Sequence, residues 1–403
     1  MRPFTNLITY DDALKIVISK TPTIKDSETV PITAANGRVC AENVVSNMNV
    51  PPFDRAAEDG YAVRAEDTFG AGTYNPVKLK LVGKINTGEW KDIEIGKGEC
   101  VQVATGAIIP KGANAVVRVE DTEMDGEYVN VYRPVHPGFD IAPAGEDIQK
   151  GDTVIEQGAL LTPARIGVLA AIGLSKVKVY RKPKVAIVPT GDELTAPGKP
   201  LEPGKIYDVN TYTIAAVVTE NGGEPVIMPY ARDDVDAVKN SLLEALSSAD
   251  MVVFSGGSSV GDRDVLIDVV SSLGTIEFHG VAIKPGKPTW FALVDGKPVL
   301  GLPGFPTSCL SDAYLFLVPA LRKMAHLPPR EWKTVRVKMG RRITSTLGRR
   351  QFFTVRIEND VAQPVYKTSG AITSLARADG FIIIPENVDL VEKGEDVTVY
   401  MWR

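Results

Sequence analysis

Residues 251–264 read M-V-V-F-S-G-G-S-S-V-G-D-R-D, an apolar run that passes directly into a loop of glycine, serine and aspartate. The apolar run has the length of a buried strand. In the loop, glycines let the backbone approach a ligand closely, and hydroxyls together with the first N–H groups of a following helix can bind an anion. The aspartates at its end indicate an accompanying cation, for which Mg²⁺ fits best. Read alone, the same residue types also make ordinary loops.

Strands and helices alternate around this stretch, from Arg181 to about Met324. The strand-like runs lie at 185–189, 225–228, 251–255, 275–278 and 299–302, the helical patterns lie near 211–221, 235–247 and 265–273, a hairpin turns at 295–296, and a last helix follows Pro306. This alternation predicts a parallel, doubly wound α/β sheet.

Four of the predicted strands run into loops of unusual composition. These loops are T-G-D-E at 190–193, R-D-D at 232–234, the serine and glycine loop at 255–264, and P-G-F-P at 303–306. Because ligands of open α/β sheets bind outside the carboxyl ends of the strands, we expect the four loops to line one edge. At that edge Glu193, Asp233 and Asp264 could hold a divalent cation.

The segment K-P-G-K-P at 284–288 adds two cations to the predicted edge. Lys284 and Lys287 could meet phosphate or another oxyanion, and the prolines beside them restrict the backbone, which leaves little entropy to lose on binding. The alternative is a pair of solvated surface lysines, which is the commonest state of this residue.

The length of 403 residues exceeds what one hydrophobic core usually supports, so about two to four domains are expected. A short amphipathic helix, with Asp11 and Asp12 as candidate caps, precedes a β-rich stretch from about 41 to 135. A further helix ends at Gly173. The pattern after Pro328 contains strands only, which predicts a small terminal barrel.

Composition limits the classes of function that fit the chain. The hydrophobic fraction of 44% and the charged fraction of 24% are those of an ordinary globular protein, and the net charge of −5 gives no electrostatic footprint for nucleic acid. No apolar run reaches the roughly 18 residues of a membrane span, and no secretory signal is recognisable, so we expect a cytoplasmic protein without a membrane partner. The three cysteines are expected to be buried small hydrophobes, and the three histidines lack metal-ligand spacing.

Eight motifs in a fixed order resemble the molybdopterin molybdenumtransferase family, known as MoeA in bacteria and as the E domain of gephyrin in animals. The resemblance covers essentially the whole chain. The matching segments are D-G-Y-A-V at 59–63, T-G-A at 105–107, G-E-D-I at 145–148, T-G-D-E at 190–193, R-D-D at 232–234, S-G-G-S-S-V-G-D-R-D at 255–264, A-I-K-P-G-K-P at 282–288 and G-L-P-G at 301–304.

The resemblance implies a multidomain α/β plus β fold and an elongated homodimer. Residues 1–45 and 141–180 would form a discontinuous N-terminal linker and dimerisation domain, into which a β-rich module is inserted at 46–140. Residues 181–327 would form a central doubly wound α/β domain, similar to MogA, that binds molybdopterin. Residues 328–403 would form a C-terminal β-barrel. The family's site lies between the α/β domain of one chain and the inserted module of the other. Asp59 and Thr105, which alone would be interpreted as turn residues, would then be site residues.

The resemblance also implies the reaction. Adenylated molybdopterin and molybdate, or tungstate, would be the substrates, Mg²⁺ the cofactor and AMP a product, with a molybdopterin adenylyltransferase acting upstream. By their positions in the motifs, the catalytic residues would be Asp59, Thr105, Asp147, Glu193, Asp233 and Lys284. The substrate-binding residues would be Ser255, Gly256, Gly257, Ser258, Ser259, Lys287, Pro303, Gly304 and Pro306, and the metal ligands would be Asp264 and Glu193.

The chain departs from the family pattern at four positions. Glu58 stands where members often have Met, Phe305 replaces the Asn of G-L-P-G-N-P, and Ala142 and Gly280 stand where many members carry basic residues. Fewer cations would weaken the attraction of an oxyanion. Three alternatives stay open: a molybdopterin adenylyltransferase, whose stand-alone form resembles residues 181–324; a non-enzymatic scaffold; and a paralogue that binds the pterin but turns over poorly.

Overall fold

The computed structural model describes residues 7–232, 234–256 and 265–402. The chain forms two compact units, one of residues 1–28, 37–39 and 180–403 and one of residues 29–36 and 40–179. In the described part of the chain, no helix combines the length and the apolar character needed to cross a membrane. The finer division into four domains, with boundaries at 45, 140, 180 and 327, stays a prediction.

A six-stranded sheet, which we call the parallel sheet, forms the centre of the first unit. Its strands lie in the order Glu224–Ile227, Lys184–Pro189, Met251–Ser255, Lys297–Leu302, Trp290–Val294 and Thr275–His279. The first four are parallel and the last two pair antiparallel. Asp295 and Gly296, at φ +50° and +73°, turn the chain between two of these strands, so the predicted hairpin is confirmed.

Helices cover both faces of the parallel sheet, so the predicted doubly wound architecture is confirmed. On one face Ile187 and Leu300 pack in a core that includes Ile214 of a covering helix. On the other face Val188 and Phe254 pack in a second core. Strands that are buried on both faces have nearly continuous apolar sequences, which is why the sequence reveals them. The helices of this unit before the C-terminal strands are Tyr10–Lys20, Asn210–Glu220, Val235–Ser248, Val265–Leu273, Pro306–Asp312 and Val318–Met324, with one π-helical turn at Ala313–Leu317.

Five strands near the C-terminus close into the predicted barrel. They are Thr334–Met339, Arg350–Glu358, Val361–Pro364, Gly380–Ile384 and Asp396–Met401, and each pairs with two others. Ile343–Thr344 and Leu390–Val391 form a separate short pair. The prediction of strands only after Pro328 was wrong at Thr373–Ala376, which is a helix. A single turn of four residues is too short to show a helical period in the sequence.

A second six-stranded sheet lies in the other unit. Its strands are ordered Ala115–Arg118, Gly60–Val63, Glu99–Val103, Val77–Ile85, Tyr128–Val131 and Thr122–Asp125. Alternate side chains enter two different cores, with Tyr61 and Val63 in one and Ala62 and Val101 in the other. The β-rich stretch predicted at about 41 to 135 is therefore confirmed.

The remaining elements are short. They are the helix Pro163–Ala171, the strands Ser27–Pro31 and Lys176–Tyr180, the paired strands Val44–Val45 with Thr153–Ile155, Arg55–Ala56 with Ile141–Ala142 and Leu194–Thr195 with Ile206–Tyr207, and the 3₁₀ turns Ile32–Ala34, Ala65–Thr68 and Val119–Asp121. The first helix is capped by Thr9, whose hydroxyl accepts the N–H of Asp12 at 3.2 Å, so the prediction of Asp11 or Asp12 as the cap was wrong. Thr and Asp are both good caps, so the sequence alone does not choose between neighbours.

Candidate functional site

The carboxyl ends of the central strands form a tight backbone cradle around Gly256. The Thr190 N–H donates to the Ser255 carbonyl at 3.1 Å, and the Gly256 N–H donates to the Leu302 carbonyl at 3.2 Å. Gly256 has φ +95°, and a Cβ at this residue would lie 2.7 Å from the Thr190 carbonyl oxygen. Only glycine fits this conformation and this space. Three strand ends distant in sequence therefore meet at one point.

The R-D-D and P-G-F-P loops begin beside the same cradle. The Ala231 N–H donates to the Pro189 carbonyl at 2.9 Å, next to Thr190. A Cβ on Gly304 would lie 3.5 Å from the Gly256 Cα, an ordinary contact distance. The amide of Asn210 donates to the Gly304 carbonyl at 2.9 Å and fixes this loop. The predicted convergence of loops at one edge of the sheet is present in the described residues.

The P-G-F-P loop is also tied to the segment 369–371 of the C-terminal part of the chain. The Thr307 N–H donates to the Ser369 carbonyl at 2.9 Å, and the Thr307 hydroxyl donates to the Ala371 carbonyl at 3.0 Å. Pro306 occupies the first position of the helix Pro306–Asp312, where a missing N–H costs nothing. Phe305 is 64% exposed, and its ring lies 3.8 Å from the position of a Cβ on Gly370.

The K-P-G-K-P loop joins the barrel as an additional strand. Ile283–Lys284 pairs in parallel with Arg350 and Gln351, and the Arg350 N–H donates to the Ala282 carbonyl at 2.9 Å. The Lys284 ammonium donates to the Thr346 hydroxyl at 3.1 Å. Lys284 is half-buried, so the alternative of a fully solvated surface lysine does not describe it.

Backbone hydrogen bonds close the rest of this loop. The Val281 N–H donates to the Lys287 carbonyl at 3.0 Å, and the Thr289 N–H donates to the Gly286 carbonyl at 3.1 Å. Gly286 has φ +113°, and a Cβ there would overlap the Asp312 carboxyl group at 2.2 Å. Glycine is therefore required at this position of the motif for both conformation and space.

Glu193 is the one predicted metal ligand within the described residues. Its carboxylate folds over Gly191, where an added Cβ would lie 2.5 Å from Oε2, and the preceding residue Thr190 borders Gly256. No three His, Cys, Asp or Glu residues of the described chain form a group that could hold a metal ion by themselves. Mg²⁺ is usually held by one or two carboxylates plus phosphate oxygens, so one carboxylate beside an anion cradle fits this ion.

Several buried polar atoms near the cradle have no hydrogen-bond partner among the described residues. These atoms are Oγ of Ser255, Oδ2 of Asp208, Oδ1 of Asn210 and Oγ1 of Thr211. Buried polar groups nearly always find a partner, so a concentration of unpartnered atoms needs an explanation such as water or ligand. Ser255 ends a strand of the parallel sheet, and the other three residues lie at the start of the helix Asn210–Glu220, which is tied to Gly304. These atoms make the edge polar, which suits a polar substrate.

In the second unit, Asp59 and Thr105 form a compact pair. The backbone N–H and the hydroxyl of Thr105 both donate to Asp59 Oδ1, at 2.7 and 3.0 Å. These two bonds, the backbone one first, lower the pKa of Asp59 below its ordinary value. Both residues are exposed, as is Asp147, whose N–H donates to the Val50 carbonyl at 3.0 Å. Asp59 is therefore an ionised, oriented and accessible carboxylate at neutral pH.

Five of the predicted site residues lie outside the described residues: Asp233, Gly257, Ser258, Ser259 and Asp264. Their roles stay predictions. The described members of the predicted set in the first unit are Glu193, Ser255, Gly256, Lys284, Lys287, Pro303, Gly304 and Pro306, which belong to the loops at the carboxyl edge of the parallel sheet and to the K-P-G-K-P loop.

Two of the four departures from the family pattern have a visible structural setting. Gly280 has φ +97°, a conformation that side chains other than glycine rarely adopt, so a basic residue there would be strained. Ala142 pairs with Arg55 in a short antiparallel ladder. Nothing in the structure explains Glu58, and Phe305 only exposes an aromatic ring beside Gly370.

Sequence reasoning missed two residues that organise the site. Asn210 holds the Gly304 carbonyl, and its only sequence signal is its position at the start of a helix after the short strand Ile206–Tyr207. Asp312 packs against Gly286 and is fully buried. Asp312 is the only charged residue between Pro306 and Leu321, and this was a signal in the sequence, because charged residues are almost never fully buried without a reason.

Comparison with known proteins gives concordant matches along the chain. Family models match residues 8–173 as the "MoeA N-terminal region (domain I and II)", residues 186–323 as a "Probable molybdopterin binding domain" and residues 336–402 as the "MoeA C-terminal region (domain IV)". A molybdopterin molybdenumtransferase of Nostoc is 34% identical over 99% of this chain and 95% of its own. Molybdopterin molybdenumtransferase 2 of Mycobacterium tuberculosis is 36% identical over 92% and 94%.

A solved structure extends the likeness to three dimensions. The crystal structure of a molybdopterin biosynthesis MoeA protein from Pyrococcus horikosii superimposes with a TM-score of 0.88. It is 41% identical and covers 99% of this chain and 100% of its own.

Proposed function

Because this chain belongs to the MoeA family of molybdopterin molybdenumtransferases, enzymes of molybdenum cofactor biosynthesis, we propose that it inserts molybdenum into adenylated molybdopterin and releases AMP. The observation that carries the proposal is the cradle at Gly256. Three strand ends meet there at a glycine position that has no room for a side chain, and the same unit carries the K-P-G-K-P motif. Such an arrangement supports binding of a phosphate-bearing substrate.

In this proposal the cradle binds the phosphate end of the adenylated pterin. The Ser255 hydroxyl, buried and without a partner among the described residues, would donate to a phosphate oxygen. Gly256 lets the substrate approach the backbone, and Gly304, fixed by Asn210, borders the same space. Gly257, Ser258 and Ser259 would complete the loop. Pro303 and Pro306 stiffen the neighbouring loop and lower the entropy lost on binding.

Lys284 and Lys287 would attract the oxyanion and the phosphate oxygens. Cleavage of the adenylate bond concentrates negative charge on those oxygens, and fixed cations can stabilise this charge without a covalent nucleophile. Lys284 is oriented for this by its bond to Thr346. Mg²⁺, held by Glu193 and Asp264 together with substrate oxygens, would supply further charge neutralisation when bound. Asp233 would be a further carboxylate at the same edge.

Asp59 and Thr105 would act from the partner subunit of a homodimer, and Asp147 would be a further catalytic carboxylate. The ionised Asp59 is held by Thr105 in one orientation, as expected of a carboxylate that positions an attacking oxygen. Subunit mixing tests this arrangement. Asp59→Asn and Lys284→Ala alone should each keep no more than about a tenth of wild-type activity, whereas mixed dimers of the two should regain up to about a quarter of it, since half of the dimers then carry one intact site. No recovery after verified subunit exchange would contradict a shared site.

The proposed reaction is tested with purified protein, adenylated molybdopterin, and molybdate or tungstate, with Mg²⁺ or with a chelator. AMP release and metal retained on the pterin are measured together. We expect oxyanion-dependent AMP release that requires Mg²⁺, and the comparison of the two oxyanions identifies the metal used. Lys284→Ala should lower both readouts by at least about tenfold, since one charge-assisted contact is lost. The matched control Lys338→Ala, an exposed lysine of the barrel paired with Asp396, should not.

Other outcomes identify the alternatives. Tight pterin binding without AMP release would favour a binding or scaffold paralogue. ATP-dependent adenylation of molybdopterin by the same protein would favour an adenylyltransferase. Either result would overturn the proposed function.

A further inference from the structure

Asp312 is a fully buried carboxyl group directly beneath the K-P-G-K-P loop. It is the last residue of the helix Pro306–Asp312, where the backbone widens into the π-helical turn Ala313–Leu317. Its relative exposure is 0%. Single π-helical turns are rare and often accompany functional sites. Nothing in the proposed reaction uses this residue so far.

Among the described residues, no basic side chain opposes the effect of burial on Asp312, and only the Thr289 hydrogen bond favours its charged form. The groups that face it in the described residues are the Thr289 hydroxyl from the end of the loop, Cys309 from its own helix and Tyr10 from the N-terminal helix. Asp208 also influences Cys309. The guanidinium of Arg350, which lies over the Tyr10 ring, is bound to Asp11 and Glu386.

A neutral carboxyl group follows from this setting. Burial raises the pKa of Asp312 well above its ordinary value, and the hydrogen bond from Thr289 opposes that shift only in part. Oδ1 has no hydrogen-bond partner among the described residues, which an ionised oxygen would tolerate poorly. Burial of an unpaired carboxylate is costly enough that the group takes up a proton instead.

The Asp312 carboxyl group contacts the K-P-G-K-P loop through Thr289 and Gly286. The Thr289 hydroxyl donates to Asp312 Oδ2, while the Thr289 N–H donates to the Gly286 carbonyl at 3.1 Å. A Cβ on Gly286 would lie 2.2 and 2.3 Å from the two carboxyl oxygens, so the carboxyl group packs against the Gly286 Cα itself. Two hydrogen bonds and one close contact thus connect Asp312 with Thr289 and Gly286 at the base of the loop.

We infer that Asp312 is a positioning residue whose buried, protonated carboxyl group fixes the loop 284–289 so that Lys284 and Lys287 face the oxyanion, without adding negative charge beneath them. The inference rests on the proposed function in one respect, the binding of an oxyanion by this loop. If Asp312 were ionised, its negative charge would lie on the other side of the loop from the bound oxyanion. Repulsion between the two charges would weaken oxyanion binding by roughly tenfold. The protonated acid supplies a hydrogen-bonding and packing group of the same shape without that penalty.

Direct binding of molybdate or tungstate to the full-length protein, measured by calorimetry at neutral pH, tests the inference. Asp312→Asn keeps the shape and the neutral charge, so its affinity should stay within about threefold of the wild type, whereas Asp312→Ala should bind roughly tenfold more weakly because the loop loses its support. Thr289→Val, which removes the hydroxyl but little volume, should weaken binding severalfold. Ser311→Ala, a buried neighbour on the same helix, is the matched control and should bind normally.

Two results would contradict the inference. Asp312→Asn binding the oxyanion about tenfold more tightly would mean that Asp312 is ionised in the wild type. Equal affinities of Asp312→Ala, Thr289→Val and Ser311→Ala would mean that Asp312 does not position the loop. Either result overturns the inference.

Two further measurements do not depend on oxyanion binding. The infrared difference spectrum of wild type minus Asp312→Asn should contain the carbonyl band of a protonated carboxylic acid at neutral pH, and its absence would overturn the inference. Hydrogen–deuterium exchange of the peptide 281–289 should be faster in Thr289→Val than in Ser311→Ala. If the wild type binds neither oxyanion, the proposed function fails, while these two measurements still decide the role of Asp312.

Discussion

The cradle at Gly256 leads to a prediction whose size follows from the coordinates. In Gly256→Ala, the new methyl group would lie 2.7 Å from the Thr190 carbonyl oxygen and 3.1 Å from its hydroxyl. The close contact is to backbone, which cannot move aside as the end of a flexible side chain could. The residue must also keep φ +95°, which alanine adopts only with strain.

The expected destabilisation is the sum of two contributions. A left-handed backbone conformation costs a residue with a Cβ about 1–2 kcal/mol. Displacement of a tightly packed strand end costs about 1–3 kcal/mol more, as overpacking of interiors does. Gly256→Ala should therefore lower the free energy of unfolding by about 3 kcal/mol, a large part of the total stability of an ordinary domain.

Urea denaturation followed by tryptophan fluorescence is the appropriate assay. Trp290 is buried in the parallel sheet, and its ring centre lies 6.2 Å from that of Phe254, two residues before the substitution. Gly304→Ala is the matched control, because its Cβ would lie 3.5 Å from the Gly256 Cα and no positive φ is involved. The control should cost less than about 1 kcal/mol, since the new methyl group makes only an ordinary contact.

Equal stabilities of the two variants would refute the reasoning. The expected difference between them is about 2 kcal/mol or more. A difference below about 0.5 kcal/mol, the usual size of neutral changes, would mean that the strand ends are not packed as described.

Three other predictions follow from single contacts. Gly301→Ala should destabilise the protein by about 3 kcal/mol in the same urea assay, because its Cβ would lie 1.9 Å from the buried ring of Trp290. Asn210→Ala should leave the P-G-F-P loop unfixed, so that deuterium uptake of the peptide 301–309 rises and the KM for adenylated molybdopterin increases severalfold; unchanged uptake would contradict this. Burial opposes ionisation of Asp250, but two bonds from Arg181 and a backbone N–H outweigh it and lower the pKa of Asp250. The stability contributed by that carboxylate is present above the ordinary pKa of aspartate and disappears as pH falls through the lowered value. Asp250→Asn should therefore be about 1–2 kcal/mol less stable at pH 7, after allowance for solvent screening, and the difference should close as pH falls below the ordinary pKa of aspartate; a constant difference across pH would contradict the linkage.

Much of the architecture was predictable because the hydrophobic pattern of each strand matches the way the strand is buried in the structure. The strand Met251–Ser255 is buried on both faces and therefore has a continuous apolar sequence. The turn at Asp295 and Gly296 uses the residue types that tolerate positive φ. The predicted strands, together with the rule that ligands bind at the carboxyl ends of parallel strands, were enough to predict that Thr190 and Gly304 lie at the same edge of the sheet.

The connections that the sequence did not reveal depend on long-range packing. The pairing of Lys284 with Gln351 joins residues far apart in the chain, and two-residue strands have no period. The contact of Asp312 with Gly286 depends on how a helix end meets a loop, which no local pattern encodes. The Thr9 cap was missed because three residues that can cap a helix, Thr9, Asp11 and Asp12, lie close together in the sequence.

The pairing of Ile283–Lys284 with the barrel has a consequence for how this protein can be divided. Just before this strand, the Ile8 N–H donates to the Gly280 carbonyl, the Ala282 N–H donates to the Ile8 carbonyl, and the Arg350 N–H donates to the Ala282 carbonyl. Residues near both chain ends therefore determine the backbone path of an internal motif. An excised α/β fragment would leave those groups exposed to water, and a lysine-bearing loop of different shape would result. Loss or exchange of the terminal barrel would therefore change the backbone of the central domain's K-P-G-K-P loop rather than merely remove an accessory part.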